Sequence, residues 1–176
     1  MYEVIIGVII FLCFLLIIIT VINNRFKLAI IKIDKAEEDI NIYLQKKKEL
    51  LDRTKPIINK ELKIENFLNE IDLYNDDMSN FDKNDLLKRQ YNNLFKVIDE
   101  NEKLYKSEPL MSIFSCLNEN EENVVGAIKF YNDTVVNYNK LVISFPSNII
   151  SLFKGYKKKE FYNNEKRVMF EILNEK

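Results

Sequence analysis

Nineteen consecutive residues, Val4 to Ile22, carry no charge, and no other feature of the chain restricts its fold as strongly. As a helix rising about 1.5 Å per residue, the run spans roughly 28 Å, close to the ~30 Å hydrocarbon core of a bilayer. A cleaved secretory signal needs a basic start, a shorter apolar core and a small-residue cleavage site. Here the start is Met1-Tyr2-Glu3 and the exit is Thr20-Val21-Ile22-Asn23-Asn24-Arg25, with neither signature. The expectation is an uncleaved transmembrane helix over 4–22, with 1–3 as a short extracytoplasmic start. Residues 23–35 set four bases, Arg25, Lys27, Lys32 and Lys35, against one acid, Asp34. The positive-inside rule then places the N-terminus outside and everything from residue 23 onward in the cytoplasm. The expected location is the cell membrane, single-pass, with the lipid bilayer as a partner.

Beyond the span, apolar residues recur at helical spacing. A first stripe runs Phe26, Ile30, Ile33, Ile40, Leu44, Leu51 and Ile58, interrupted by Glu37, Lys47 and Thr54. It continues the membrane helix until Pro56, which should kink or restart the helix near 53–55. Helical pattern resumes through Ile57, Leu62, Phe67, Leu68 and Ile71, and residues 75–80 form the clearest loop. A second stripe, Leu87, Tyr91, Leu94, Ile98 and Tyr105, predicts a helix of roughly 82–105. Pro109 suits the first turn of the next helix. The third stripe is the most regular: Leu110, Phe114, Leu117, Val124, Ile128, Tyr131, Val135, Tyr138, Val142 and Phe145, broken only by Glu121. Pro146 ends it, and a short helix of about 147–154 stops at Gly155, a natural left-handed cap.

Each stripe buries itself only against the others, and short connections favour antiparallel neighbours. The fold class is therefore all-α: an N-terminal transmembrane helix, then an elongated antiparallel helical bundle of about four helices over 23–155. Residues 156–176 form a charged tail, a frayed or partner-dependent helix.

Composition removes several functions. Histidine is absent, which excludes a Ser-His-Asp triad, a Cys-His pair, an HExxH zinc site and a Glu-x-x-His di-iron bundle. A net charge of −1 gives no overall basic field, so no nucleic-acid partner is expected. Two distant cysteines, Cys13 and Cys116, make no disulfide framework. Acidic runs at 37–39, 76–77 and 119–122 lack the EF-hand pattern and read as surface charge. The three glycines stand alone and form no phosphate loop. No catalytic, cofactor-binding or metal-ligating residue is expected, and no cofactor.

Two Tyr-Asn pairs, Tyr131-Asn132 and Tyr138-Asn139, lie seven residues apart and share one helix face before Phe145-Pro146. With Ala127, Asp133, Val135, Ser147 and Asn148, this segment resembles the C-terminal signature of the LemA family of bacterial membrane proteins. Earlier, Ala36, Asp39 and Ile40, then Leu44, Glu49 and Leu50, resemble the family's Ala-aromatic-x-Asp-Ile and Leu-x-Arg-Arg-x-Asp-Leu-Ile-Pro patterns. The resemblance covers nearly the whole chain. It implies a membrane helix followed by an antiparallel bundle of about four helices, with no established enzyme activity. Departures are Glu37 for the aromatic residue, Lys46 and Lys47 for the arginine pair, Asp52 for the proline and Ile128 for a later arginine. Lysine keeps the charge but loses bidentate pairing.

Two roles fit the Tyr-Asn face. It could be a polar recognition groove. Alternatively, the tyrosines fill the core while Asn132 and Asn139 bond across helices and fix register, which suits a stripe and its flank better. Lys46-Lys47-Lys48 could touch anionic lipid, or form a solvated face with one stem along the stripe. Lys154 and Lys157–Lys159 make a second basic patch. The leading expectation is a non-enzymatic membrane scaffold or adaptor with unknown protein partners and possible self-association. A single-pass transducer is the alternative, and a histidine-free enzyme is a distant third.

Overall fold

The computed structural model describes residues 1–64 and 66–162. These contain α1 (Tyr2–Leu62), a 3₁₀ helix (Asn69–Leu73), α2 (Asn80–Asp99), α3 (Glu102–Tyr105), α4 (Glu108–Ile143) and α5 (Ser147–Lys154), with no strand among the described residues. The chain is an all-α helical bundle. It divides into two compact units, one of Met1–Lys35 with the described residues from Phe130, the other of Ala36–Lys129.

The N-terminal part of α1 is long and apolar enough to cross a membrane, and almost none of that window is buried within the protein. Its side chains serve no core. The helix then runs on without a break and passes straight through Pro56. A kink or restart was expected there, since proline removes a helical hydrogen bond and crowds the preceding turn. Burial explains the continuity: Leu51, Thr54 and Ile58 are all fully buried and carry the stripe across the proline. The Thr54 hydroxyl also donates to the Leu51 carbonyl at 2.7 Å.

In the second unit, three features fix the path. After α1, the described residues of 63–79 form a return with a short 3₁₀ helix at Asn69–Leu73 rather than the expected helix. Lys63, Asn66 and Leu68 take left-handed backbone, which ends helical propagation. The return lies against α1 through Lys55–Asp72 at 2.9 Å and through Lys48 over the Tyr74 ring. Ile71 is its buried anchor. Asn75 Oδ1 then accepts from the amides of Asp77 and Met78, and Ser79 caps α2 by accepting from the Asp82 amide.

Because the return covers the length of the segment, α2 runs in the same direction as α1. Asn80 donates to the Glu37 carbonyl, and Lys47 lies over the Tyr91 ring. α4 runs the opposite way, with Phe114 and Asn118 at α2 and Asn120 at Tyr43. The short connections that favour antiparallel neighbours hold for α4. They do not hold for α2, whose connection is long. α2 ends at Asp99 rather than near 105, and α3 restarts the register, so Leu104 is buried and Tyr105 is exposed.

In the first unit, Ile22, Phe26 and Ile33 of α1 pack with Tyr131, Val135 and Tyr138 of α4 as its buried residues. α5 spans Ser147–Lys154 as expected. Gly155 closes it at φ 70°, with the amides of Gly155 and Tyr156 returning to Leu152 and Ser151. Phe145, expected as the last residue of the stripe, lies beyond the end of α4 and is exposed. The Phe145–Pro146 peptide is cis.

Candidate functional site

The Tyr-Asn face lies in the first unit, on the part of α4 that follows Lys129. All four residues are buried, with Asn132 and Asn139 nearly inaccessible. Asn132, Asn139 and the Tyr131 hydroxyl bond the chain segment after Gly155, which has no helix through Tyr162. Asn139 grips one residue of that segment at two points. Its Nδ2 donates to the Lys159 carbonyl at 2.9 Å, and its Oδ1 accepts from the Lys159 amide at 2.8 Å. Asn132 Oδ1 accepts from the Tyr162 amide at 2.8 Å, and the Tyr131 hydroxyl donates to the Glu160 carbonyl at 3.1 Å. Four hydrogen bonds from three motif side chains thus go to main-chain atoms.

This arrangement offers the segment what a neighbouring strand would offer. Backbone amides and carbonyls that leave water must find partners, and a carboxamide carries both a donor and an acceptor. Aromatic rings support the grip. Phe26 stacks on Tyr156 at 4.6 Å between centroids and meets Tyr138 edge-on at 5.9 Å. Tyr131 meets Tyr162 edge-on at 6.2 Å. Burial, then the neighbouring Tyr156, pushes the Tyr138 phenol above its ordinary value, so it stays neutral. The face thus holds the segment both by its main chain, through Asn132, Asn139 and Tyr131, and by the rings of Tyr156 and Tyr162.

A second polar site lies inside the other unit. Lys47 and Glu121, the residues that interrupt the first and third stripes, form an ion pair with each other. The Lys47 side chain is fully buried and that of Glu121 is mostly so. The ammonium also lies 5.4 Å from the centre of the Tyr91 ring. Tyr91 in turn donates to Asn118 Oδ1 at 2.7 Å. Burial pushes the Lys47 ammonium below its ordinary value, and the hydrogen bond and charge of Glu121 restore only part of it. Burial and the Glu121 carboxylate both push the Tyr91 phenol up. Asn120 donates to the Tyr43 carbonyl at 3.0 Å while its buried Oδ1 has no partner among the described residues. With the amine sealed from solvent, this cluster is an interior cross-link between α1 and α4.

The other expected motif residues differ in burial. Ala36, Ile40, Leu44 and Leu50 are buried, Asp39 is half-buried and Glu49 is exposed. Val135 is fully buried between the Tyr-Asn pairs, while Pro146 and Phe145 are exposed. Of the lysine run, Lys46 is exposed, Lys47 is in the core, and Lys48 pairs with Asp52 at 2.9 Å. A lipid role for the run as a whole does not fit Lys47. The tail-clasping role of Asn132 and Asn139 was not foreseen as such. Its one signal in the sequence was the recurrence of a carboxamide beside each stripe tyrosine. The Lys47–Glu121 pair had a clearer signal, since two stripe interruptions of opposite charge need each other. Residues 163–176, the rest of the expected tail, lie outside the described residues.

The fold and the site define an all-α bundle protein with an N-terminal helix long and apolar enough to cross a membrane and a polar face that holds a non-helical segment of its own chain. The model of the LemA family matches residues 36–171, and the chain belongs to the LemA family. Searches of curated proteins and of solved structures give no match.

Proposed function

We propose that the protein is a non-enzymatic, membrane-anchored adaptor whose Tyr-Asn face holds extended polypeptide by its backbone. The observation that carries this reading is the two-point hydrogen bonding of Asn139 to the main chain of Lys159. A face that binds main chain accepts any segment able to lie flat along it. The chain's own residues 156–162 occupy it, and an extended segment of a partner, or of a second copy, would compete for the same bonds. In this reading the protein is single-pass in the cell membrane, with its N-terminus outside and its bundle cytoplasmic, as the bases at 25–35 favour.

The test is photocrosslinking in intact membranes with a photoreactive residue at Phe130, beside the face, followed by affinity capture of the whole protein. The adaptor reading expects a discrete partner or a second copy, lost when Asn139→Ala is introduced into a protein that still unfolds cooperatively. A crosslinking pattern unchanged by Asn139→Ala would sink it. A reporter fused to the C-terminus should give a cytoplasmic signal.

One observation favours a transducer as the second reading: α1 is a single helix from Tyr2 to Leu62, with no break after the apolar window. A helix-breaking insertion at Asn23–Asn24 should abolish a transducer's output and spare an adaptor that needs only tethering.

A further inference from the structure

α5 is amphipathic in the inverted sense. Its two serines face the protein: Ser147 and Ser151 are buried, and their hydroxyls donate to the Ser144 carbonyl at 2.8 Å and the Val142 carbonyl at 3.0 Å, while Asn148 and Lys154 are exposed. Its large apolar residues face outward, with Leu152 82% and Phe153 85% exposed, and Ile149 beside them. Phe145, just before the helix, is 79% exposed. A water-soluble surface places these residue types the other way round.

What covers them is indicated by their neighbour. Ile17, Ile18 and Val21 of α1 line one side of a groove of about 480 Å³, and Leu141, Phe145 and Pro146 line the other. Those α1 residues belong to the uncharged run that ends at Ile22, so the groove lies up to five residues inside it. That is roughly 7 Å of helix rise, the depth at which interfacial helices rest. Among the described residues, the charged ones lining the groove are bases, Arg25 and Lys140. Lys154 and Lys157, both exposed, follow the apolar face. Long basic side chains beside an apolar surface can reach anionic headgroups while their stems stay in the acyl boundary.

We propose that α5 and Phe145 lie in the lipid–water interface beside the first helix, as a second, in-plane membrane contact. The apolar side chains would enter the acyl boundary and the flanking lysines would meet headgroups. The inference rests on α1 crossing the bilayer, and the experiment separates the two claims.

The chain contains no tryptophan, so a single introduced one reports on one position. Phe153→Trp and, separately, Leu12→Trp would be placed in the full-length protein. Each would be reconstituted in phosphatidylcholine–phosphatidylglycerol vesicles containing lipid brominated near the head of the acyl chain or near its end. For Phe153→Trp, shallow bromines should quench fluorescence by about half and deep ones less, with little quenching by aqueous iodide. Leu12→Trp should respond most to deep bromines. If Leu12→Trp responds to lipid while Phe153→Trp responds only to iodide, α5 lies in water and the proposal falls while the span stands. If Phe153→Trp is shielded from both quenchers, protein covers α5, most simply a second copy, and the proposal also falls. If neither tryptophan responds to lipid, the span itself is wrong.

Discussion

The two units handle polar groups in their interiors in opposite ways. In the unit of Ala36–Lys129, Lys47 and Glu121 are joined side chain to side chain beside Tyr91. In the other, Asn132, Asn139 and Tyr131 turn outward from the core to the main chain of 159–162. The first arrangement is private: each partner satisfies the other, and nothing else can take its place without rebuilding both. The second is open in kind, because any peptide carries the same amide and carbonyl groups. A buried ion pair is weak evidence for stability, since desolvation offsets much of the attraction. A backbone clasp is individually modest but transferable between occupants. The contrast sets a side-chain cross-link in one unit against a clasp on the chain's own backbone in the other.

The severest test of the clasp-bearing unit is Phe26→Ala. Phe26 is fully buried and touches both Tyr138 and Tyr156. Its loss should cost about 3–5 kcal/mol in denaturant unfolding in detergent. A cost below about 1 kcal/mol would mean that aromatic packing does not organise that unit. Next, Glu121→Leu strands a buried ammonium and should cost about 3 kcal/mol, the low end for a broken buried pair because Glu121 keeps some exposure. The double variant Lys47→Met with Glu121→Leu should recover most of that loss, or exceed the parent. Failure of the double variant to recover would show that the pair does more than satisfy itself.

Asn139→Ala removes both bonds to Lys159 and should cost about 1–2 kcal/mol. Hydrogen exchange at the Lys159 and Tyr162 amides should accelerate, with little change in amides of the other unit. Uniform acceleration everywhere would erase the distinction between clasp and core. The smallest effect is a pH dependence. Burial pushes the Asp52 carboxyl up, but hydrogen bonds from Lys48 and Lys55 outweigh it and hold the group below its ordinary range. The unfolded chain therefore takes up that proton first as pH falls. The contribution is present above the ordinary carboxylate value and is lost as pH drops through the folded one. Asp52→Asn should slightly flatten the acid limb of thermal stability. An unchanged limb would show that these half-buried pairs contribute nothing measurable.

Much of this was readable in the chain. The uncharged run, the stripes at 26–58 and 110–142 and the cap at Gly155 all follow from local rules, because a helix face and a left-handed glycine are properties of neighbouring residues. The misreadings also share a cause. Pro56 predicts a kink from its own chemistry, yet burial of Leu51, Thr54 and Ile58 holds the helix together. Tyr105 and Phe145 were counted on stripes by spacing, yet each falls where the helix has already ended or restarted. Lys47 and Glu121 looked like flaws in separate stripes, and become a pair only when the helices meet.

By itself, then, the sequence determined the long helices and their apolar faces, that one helix is suited to a membrane, and the family. Those are set by period, length and composition, all local to the chain. Only the tertiary structure decided that α2 runs alongside α1 in the same direction, that Asn132 and Asn139 take the backbone of 159–162, and that α5 turns its apolar side outward. Each of those depends on which distant groups satisfy one another, and hydrogen-bond partners separated by 20 or 30 residues leave no periodic trace in a sequence.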